Sequence, residues 1–178
     1  MATIFSHGIA ALALGKAFTA AKMPTRFWVA AVVCAVLPDI DVIGFAFGIQ
    51  YGDVLGHRGL THSLLFALVI SFATMSLLFS ELKFLSRDWT NVFSFFFLVT
   101  MSHGVLDALT NGGLGVAFFA PFDNTRYFFP WQPIEVSPIG LNFFSKRAWA
   151  VIASEIEWIW IPSGLLVGAF LVLRKARR

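Results

Sequence analysis

The sequence predicts an all-α polytopic membrane protein, a bundle of about five transmembrane helices that forms a single integral-membrane domain over residues 1–178. Hydrophobic residues make up 58% of the chain, charged residues only 13%, and the mean hydropathy is +0.78. This composition is too apolar for an ordinary soluble domain. Five apolar segments also approach the roughly 20 residues that a helix needs to cross a membrane.

The five apolar segments give the predicted helices in chain order. They cover residues 4–21, 27–48, 60–80, 91–109 and 158–173. The first contains His7 and Lys16, which favours a helix that lines the interior of the bundle. The second is expected to break at the sequence PDID, because Pro38 can kink or end a helix.

The segment between the last two predicted helices, residues 111–157, is rich in prolines, glycines and aromatic side chains, which oppose one long helix. Its aromatic and neighbouring basic residues include Phe118, Phe119, Phe128, Phe129, Trp131, Phe143, Phe144, Trp149, Lys146 and Arg147. Such side chains favour the interface between membrane and water. We therefore predict an aromatic interfacial cap between the fourth and fifth helices.

The basic residues predict how the chain is oriented, because cytoplasmic loops carry an excess of Lys and Arg. With the C-terminus inside, the nine cytoplasmic basic residues are Lys16, Lys22, Arg26, Lys83, Arg87, Arg174, Lys175, Arg177 and Arg178. The four external ones are Arg58, Arg126, Lys146 and Arg147. The N-terminus and the cap are therefore expected on the extracytoplasmic side.

Ionisable side chains gather at the outer ends of the predicted helices, where their cost in lipid suggests a function. Histidine and aspartate are donors suited to Zn, Mn or Fe. The candidate metal ligands are His7, Asp39, Asp41, His57, His62, His103 and Asp107. They include all four histidines of the chain. The pattern predicts a site for one or two divalent ions, with zinc preferred and Mn or Fe as alternatives.

Each part of this pattern also has a purely structural explanation. His103 and Asp107 are four residues apart and share a helix face, so they could bind one metal or join two helices by hydrogen bonds. The PDID sequence could simply end a helix, and Gly59 with Thr61 could form a turn and a cap. The convergence of all these groups on one side favours the metal site.

Two kinds of catalytic role follow from the same residues. Asp39 or Asp41, whichever does not bind the metal, is a candidate general base. Arg58 and Arg126 are candidates for holding an anionic substrate group through paired hydrogen bonds. The structural alternatives are an ion pair between Arg58 and Asp53 and an interfacial anchor for Arg126.

The motifs PDID, HRGLTHS and SHGVLDALTNGG, followed by PFDNTRYFFPW, resemble the YdjM-like bacterial inner-membrane proteins. These are described as membrane-bound metal-dependent hydrolases associated with LexA regulation. The resemblance covers nearly the whole chain and implies a multi-pass protein of the bacterial inner (plasma) membrane.

More distantly, the order of an N-terminal His, an Asp, a His and then HxxxD is similar to zinc-dependent phospholipases C. That similarity implies metal roles for His7, Asp39 or Asp41, His57 or His62, His103 and Asp107. No histidine follows His103, so the later ligands of that family are missing, and Glu155 or Glu157 are the possible substitutes.

The expected function is hydrolysis of a phosphoester in a lipid or other amphiphile by metal-activated water. The expected partners are membrane lipid and a lipid-like or phosphorylated substrate, such as a phospholipid or polyprenyl phosphate. No basic patch with interleaved stacking residues indicates nucleic acid. The alternatives are a metal- or proton-coupled transporter and a non-enzymatic scaffold with a structural metal. The sequence leaves the oligomeric state unknown.

Overall fold

The computed structural model describes residues 1–19, 22–140, 143 and 147–176. Over these residues the chain forms five main helices and no regular β-strand, which confirms the predicted fold class. The helices are α1 Ile4–Phe18, α2 Thr25–Phe47, α3 Leu64–Leu78, α4 Arg87–Ala108 and α5 Ala148–Ala176. In the described part of the chain, only α2, α4 and α5 are long and apolar enough to cross a membrane by themselves. The helices α1 and α3 have 15 residues each, about 22 Å, less than the roughly 30 Å of a hydrocarbon core.

The first helix begins at a side-chain cap. The backbone N–H of Ser6 donates to the hydroxyl oxygen of Thr3, which satisfies one of the N–H groups left open at the start of a helix. The helix ends at Phe18, earlier than the predicted end at residue 21. Residues 20 and 21 lie outside the described part of the chain.

The second helix changes its winding at PDID, as the sequence predicts. It is α-helical over Thr25–Val36 and continues as a 3-10 helix over Leu37–Phe47. Pro38 has no N–H to donate into an α-helical ladder, which explains why the winding changes there. At 3.0 residues per turn, Asp39 and Asp41 point about 120° apart, instead of the roughly 160° of an α-helix. Both carboxylates can therefore turn towards the interior.

Serine caps set where α3 and α4 begin. The hydroxyl oxygen of Ser63 accepts from Phe66 N–H at 3.1 Å, and that of Ser86 accepts from Trp89 N–H at 3.2 Å. The α-helix α3 thus starts four residues after the predicted position 60, behind a short 3-10 turn at Leu60–His62. The helix α4 starts four residues before the predicted position 91.

The last helix is longer than predicted. It begins at Ala148 rather than at residue 158, and it contains a π-helical turn at Ile156–Trp160 between two α-helical parts. The acidic residues Glu155 and Glu157 lower the hydropathy of this stretch, so hydropathy does not predict that the helix begins before residue 158. The cap segment accordingly spans residues 109–147 and not 111–157. Phe144 and Lys146, which were predicted to belong to the cap, lie outside the described residues.

The helices pack so that one end of the bundle is basic. An apolar core that includes Phe27, Phe95 and Phe96 fills this half of the molecule. Arg26 of α2 pairs with Glu81 in the connection from α3 to α4. A guanidinium nitrogen of Arg174 donates to the carbonyl of Ala17 at 2.8 Å, so the C-terminal end of α5 lies beside that of α1.

The cap segment covers the opposite end of the bundle. Ala117 N–H donates to the carbonyl of Arg58 at 3.0 Å, and Leu64 N–H donates to the carbonyl of Phe118 at 2.9 Å. Phe129 N–H donates to the carbonyl of Ala108, where α4 ends. The cap is therefore fixed to the end where α3 begins and α2 and α4 finish.

Candidate metal centre

Four buried side chains converge beneath the cap: Asp39 from α2, His62 from the turn before α3, and His103 and Asp107 from α4. One donor atom from each lies within 4.8 Å of all the others, and we call these residues the four-donor group. Asp39 Oδ1 lies 3.3 Å from His103 Nε2 and 3.7 Å from His62 Nε2. His62 Nε2 lies 3.6 Å from Asp107 Oδ2. The structure thus brings together residues 68 positions apart in the chain.

A backbone carbonyl orients His103. Its Nδ1 lies 2.7 Å from the carbonyl oxygen of Ala35, and because a carbonyl can only accept, Nδ1 carries the proton. Its Nε2 faces Asp39 and His62. This arrangement, with one ring nitrogen held by a protein acceptor and the other turned inward, is the usual one for a metal-binding histidine.

Asp41 orients two further histidines. Its Oδ1 lies 2.7 Å from His57 Nδ1, and its Oδ2 lies 3.1 Å from His62 Nδ1. The hydroxyl of Thr61 and the backbone N–H of Arg58 also donate to Oδ2, at 2.6 and 3.2 Å. Both oxygens of Asp41 are therefore occupied, and both histidines direct Nε2 away from Asp41.

The Nε2 atoms of His62 and His103 face each other at 3.1 Å, with a carboxylate oxygen of Asp39 beside them. If each Nδ1 holds the ring proton, as its partners require, two lone pairs and a negative charge meet in a buried space. Such a contact is repulsive unless a cation lies between the atoms. A metal ion or an additional proton satisfies this need.

The donor separations fit a metal ion. Zinc bonds of about 2.0–2.2 Å in a tetrahedron place neighbouring ligand atoms roughly 3.4 Å apart. The separations of 3.1, 3.3, 3.6 and 3.7 Å among the four-donor group lie close to this value. A second set, formed by Asp41, His57 and His62, is also close enough for a metal. We regard it as an orienting set, because Asp41 already binds the Nδ1 atoms of both histidines.

His7 lies against the four-donor group without a hydrogen bond of its own. Its ring stacks on that of His103 with 3.7 Å between centroids, and its Nε2 lies 3.5 Å from Asp107 Oδ1. Among the described residues, the buried side-chain atoms that lack a hydrogen-bond partner are His7 Nδ1 and Nε2, Asp39 Oδ1 and Oδ2, and His57 Nε2. A buried unpaired polar atom costs about 1–3 kcal/mol. All five atoms belong to residues that the sequence predicts as metal ligands.

Arg58, which the sequence offers as a substrate-binding residue, contacts other residues of the protein. Its side chain is fully buried, and its Nε donates to Asp107 Oδ2 at 3.0 Å. Its two terminal nitrogens donate to the carbonyl of Gly112 and the hydroxyl of Thr110, each at 2.9 Å. The alternative ion pair with Asp53 is also not formed, since Asp53 accepts from Gln50 N–H. Arg58 holds Asp107 in position.

Arg126 likewise contacts the protein and not an open site. Its two terminal nitrogens donate to the carbonyls of Tyr51, Asp53, His57 and Gly115 at 3.0–3.4 Å. It thereby ties the cap to the loop that carries His57. Tyr51 packs edge-on against His57, and burial raises the pKa of the Tyr51 phenol, which keeps that ring neutral.

Comparison with known proteins agrees with this architecture. The family model of the YdjM inner membrane protein matches residues 1–177. The chain belongs to the YdjM inner membrane protein family. It is also 37% identical over 174 residues to the inner membrane protein YbcI of Escherichia coli (strain K12), with 94% of this chain and 96% of that protein aligned. No solved structure matches the chain.

Some residues of this YdjM family member have site roles that sequence reasoning missed. Thr61, which the sequence offers as a cap for α3, instead donates to Asp41, and Ser63 is the cap. The position of Thr61 inside the HRGLTH motif is the feature of the sequence that could have indicated this role. The carbonyl of Ala35 and the hydroxyl of Thr110 give no such signal, because only the fold brings them to His103 and Arg58.

The proposed late ligands of α5 lie elsewhere. Glu155 is fully buried, but its carboxylate accepts from Thr3 N–H, from the hydroxyl of Thr3 at 2.6 Å and from that of Ser6 at 2.7 Å. It therefore stabilises the start of α1, where a negative charge is favourable. Glu157 is exposed. Neither residue belongs to the four-donor group.

Proposed function

We propose that this YdjM family member is a membrane-bound metal-dependent hydrolase that cleaves a phosphoester of a lipid or similar amphiphile. The observation that carries the proposal is the contact of His62 Nε2 with His103 Nε2 beside Asp39, which calls for a cation. His62, His103 and Asp107 would hold one divalent ion and leave a position for water beside Asp39, with zinc preferred for these nitrogen and oxygen donors and Mn or Fe as alternatives. His7 and His57 supply further donors for a fifth bond or a second ion.

A divalent ion bound there supplies Lewis-acid polarisation of a phosphoryl oxygen and lowers the pKa of water. Asp39 is suited to take the proton from the attacking water, because its Oδ2 has no hydrogen-bond partner among the described residues. Asp41 is not suited, since His57, His62 and Thr61 occupy its oxygens. The proposal therefore assigns the base to Asp39 and an orienting role to Asp41.

The charges around the site favour a cation before any anionic substrate arrives. Asp39, Asp41 and Asp107 bring three carboxylates, whereas the buried guanidinium of Arg58 pairs with Asp107. A phosphate group would be repelled by this excess of negative charge unless a metal ion offset it. Substrate binding should therefore depend on the metal, and neither Arg58 nor Arg126 is needed to hold the phosphate.

A proton-coupled transporter is a second candidate, because a proton shared by His62 and His103 would also relieve their contact. A transporter needs a path that continues through the other half of the membrane. In the described residues that half is filled by an apolar core that includes Phe27, Phe95 and Phe96. This packing favours the hydrolase. The scaffold with a structural metal differs from both in having a closed set of ligands.

The test of the proposal is turnover by purified protein. Detergent-purified protein, stripped with a chelator and reloaded with Zn or Mn, is offered phospholipids, polyprenyl phosphates and a water-soluble phosphoester. We expect metal-dependent product release that His103→Ala abolishes together with metal binding. Glu157→Gln, which changes an exposed acid outside the site, is the control and should behave as wild type. Metal binding in a closed four-ligand shell, without product from any substrate, would favour the scaffold.

A further inference from the structure

An apolar groove between α1 and α2 reaches the candidate metal centre at Asp39. Its volume is about 640 Å³. Its lining includes Ile4, Phe5, Gly8 and Leu12 of α1, Val32 and Val36 of α2, and Asp39. Asp39 is thus the one ionisable residue in the lining and a member of the four-donor group.

The exposed apolar residues at its rim indicate that the groove opens towards lipid. Phe5 and Ile4 are 61% and 52% exposed, although both are large apolar residues of a membrane helix. On the α2 side, Ile40 is 51% exposed next to Asp39. In a bilayer these exposed surfaces face hydrocarbon, so a lipid chain can enter the groove sideways.

Because Gly8 has no side chain, it lines the groove without filling it. A Cβ atom built at Gly8 would lie 3.7 Å from a methyl group of Val32, which is ordinary van der Waals contact. The two helices therefore approach closely without a side chain between them at this level. One residue earlier in the chain, His7 packs on His103, so the same turn of α1 forms the groove on one side and the site on the other.

The polar end of the groove needs a ligand that the protein does not supply. Asp39 is only 7% exposed, and neither of its carboxylate oxygens has a hydrogen-bond partner among the described residues. A chain lying in the groove would place its head group next to Asp39, whose buried carboxylate contacts His62 and His103. An anionic head group would bind there only together with a metal ion.

We infer that the groove between α1 and α2 holds the hydrocarbon chain of a single-chain lipid phosphate, whose phosphate group reaches the four-donor group at Asp39. This inference rests on the proposed function and names the substrate class. A second apolar groove of about 390 Å³, lined by α3, α4 and the cap, includes Leu64, Leu68 and Phe97 but no ionisable residue. The first groove offers a place beside the site for one chain, which favours a single-chain lipid.

The two grooves allow a matched pair of variants. Leu12 lines the first groove and Leu68 the second, and they are 40% and 39% exposed. Leu12→Trp should fill the first groove five residues away from His7, whereas Leu68→Trp makes the same change on the other face. Val32→Phe fills the first groove from the α2 side and serves if Leu12→Trp fails to fold. Zinc content and thermal unfolding show which variants are intact.

The first measurement is photolabelling of the zinc-loaded protein with a single-chain alkyl phosphate that carries a diazirine near its chain end. We expect label on the α1 and α2 residues of the first groove. Leu12→Trp should reduce labelling about tenfold, the factor that corresponds to roughly 1.4 kcal/mol of binding, and Leu68→Trp should not. Unlabelled single-chain phosphate should compete, and dialkyl phosphatidic acid should compete poorly. Label in the second groove, or equal competition by phosphatidic acid, would overturn the inference.

The second measurement separates this inference from the hydrolase proposal. In Leu12→Trp, kcat/KM for a long-chain phosphoester should fall by a similar factor, while hydrolysis of the water-soluble phosphoester is unchanged. Labelling of the first groove without hydrolysis of any ester would uphold the groove and overturn the hydrolase. Hydrolysis of the soluble ester with no labelling of α1 or α2 would uphold the hydrolase and overturn the groove.

Discussion

Nδ1 of His57 lies 2.7 Å from Oδ1 of Asp41, and the same carboxylate holds Nδ1 of His62 through its other oxygen. These contacts distinguish Asp41 from Asp39, which lies two residues earlier in the sequence. Asp41 is surrounded by donors, whereas the oxygens of Asp39 have no hydrogen-bond partner among the described residues. The two residues should therefore respond differently to the same substitution.

Asp41→Asn should weaken metal binding about 10–100-fold, as is usual when an orienting partner of a metal-binding histidine is lost. Excess metal should restore most of the activity, because the four-donor group is intact. Asp39→Asn should keep a low activity at any metal concentration, since loss of a general base costs about 100–10,000-fold. Titration against a chromophoric chelator, with kcat measured at saturating metal, checks both. If Asp39→Asn were rescued by excess metal and Asp41→Asn were not, Asp41 would be the general base and Asp39 the orienting residue.

The number and order of the helices follow from the sequence, because hydrophobic length is the dominant signal for a membrane helix. The boundaries depend on features that hydropathy does not record. The hydroxyl groups of Ser63 and Ser86 set the starts of α3 and α4. The buried Glu155 hides the first turns of α5, because a carboxylate that is paired within the fold resembles a surface residue in the sequence.

The candidate site was predictable in its residue types and in its place at one end of the bundle. His103 and Asp107 share a helix face by their spacing alone. The division of labour between Asp39 and Asp41 was not predictable, because it depends on the 3-10 winding after Pro38 and on contacts with His57 and His62. The position of Arg58 also depends on contacts with residues about 50 positions away.

Arg58→Met should destabilise the protein and not simply weaken substrate binding. The substitution leaves the carboxylate of Asp107 buried without its guanidinium, and breaking one side of a buried ion pair costs about 3–5 kcal/mol. The free energy of unfolding, measured in mixed detergent micelles, reports this loss. Arg58→Lys should recover only part of it, because an ammonium group cannot reproduce the planar set of three contacts. A stable Arg58→Met protein with only a raised KM would contradict this account and would support a role of Arg58 in substrate binding.

Glu155→Gln should loosen the start of α1 without removing the metal. The amide nitrogen of glutamine cannot accept from Thr3 or Ser6, so buried donors are left unpaired at a cost of about 1–3 kcal/mol. Thermal unfolding should shift to lower temperature, while elemental analysis should show unchanged metal content. Loss of the metal in a folded Glu155→Gln protein would make Glu155 a ligand after all.

The orientation of the protein can be tested with single cysteines. Cys34 is buried, so a Cys34→Ala background removes the native thiol. Phe122 in the cap is 85% exposed, and Phe84, between α3 and α4, is 62% exposed. The excess of basic residues at the end of the bundle where α3 connects to α4 predicts that this end is cytoplasmic. A membrane-impermeant maleimide should therefore label Phe122→Cys in intact spheroplasts and Phe84→Cys only after lysis. The opposite labelling would show that the protein has the inverse orientation, with the site on the cytoplasmic side.

The central claim is that His62, His103 and Asp107, with Asp39 beside them, form a site for one divalent ion. Elemental analysis of detergent-purified wild type, His103→Ala and Glu157→Gln tests it most directly. We predict about one zinc per chain in the wild type and in Glu157→Gln, in keeping with one four-coordinate site, and almost none in His103→Ala. A wild type that carries no more divalent metal than His103→Ala, even after incubation with Zn, Mn or Fe, would contradict the account.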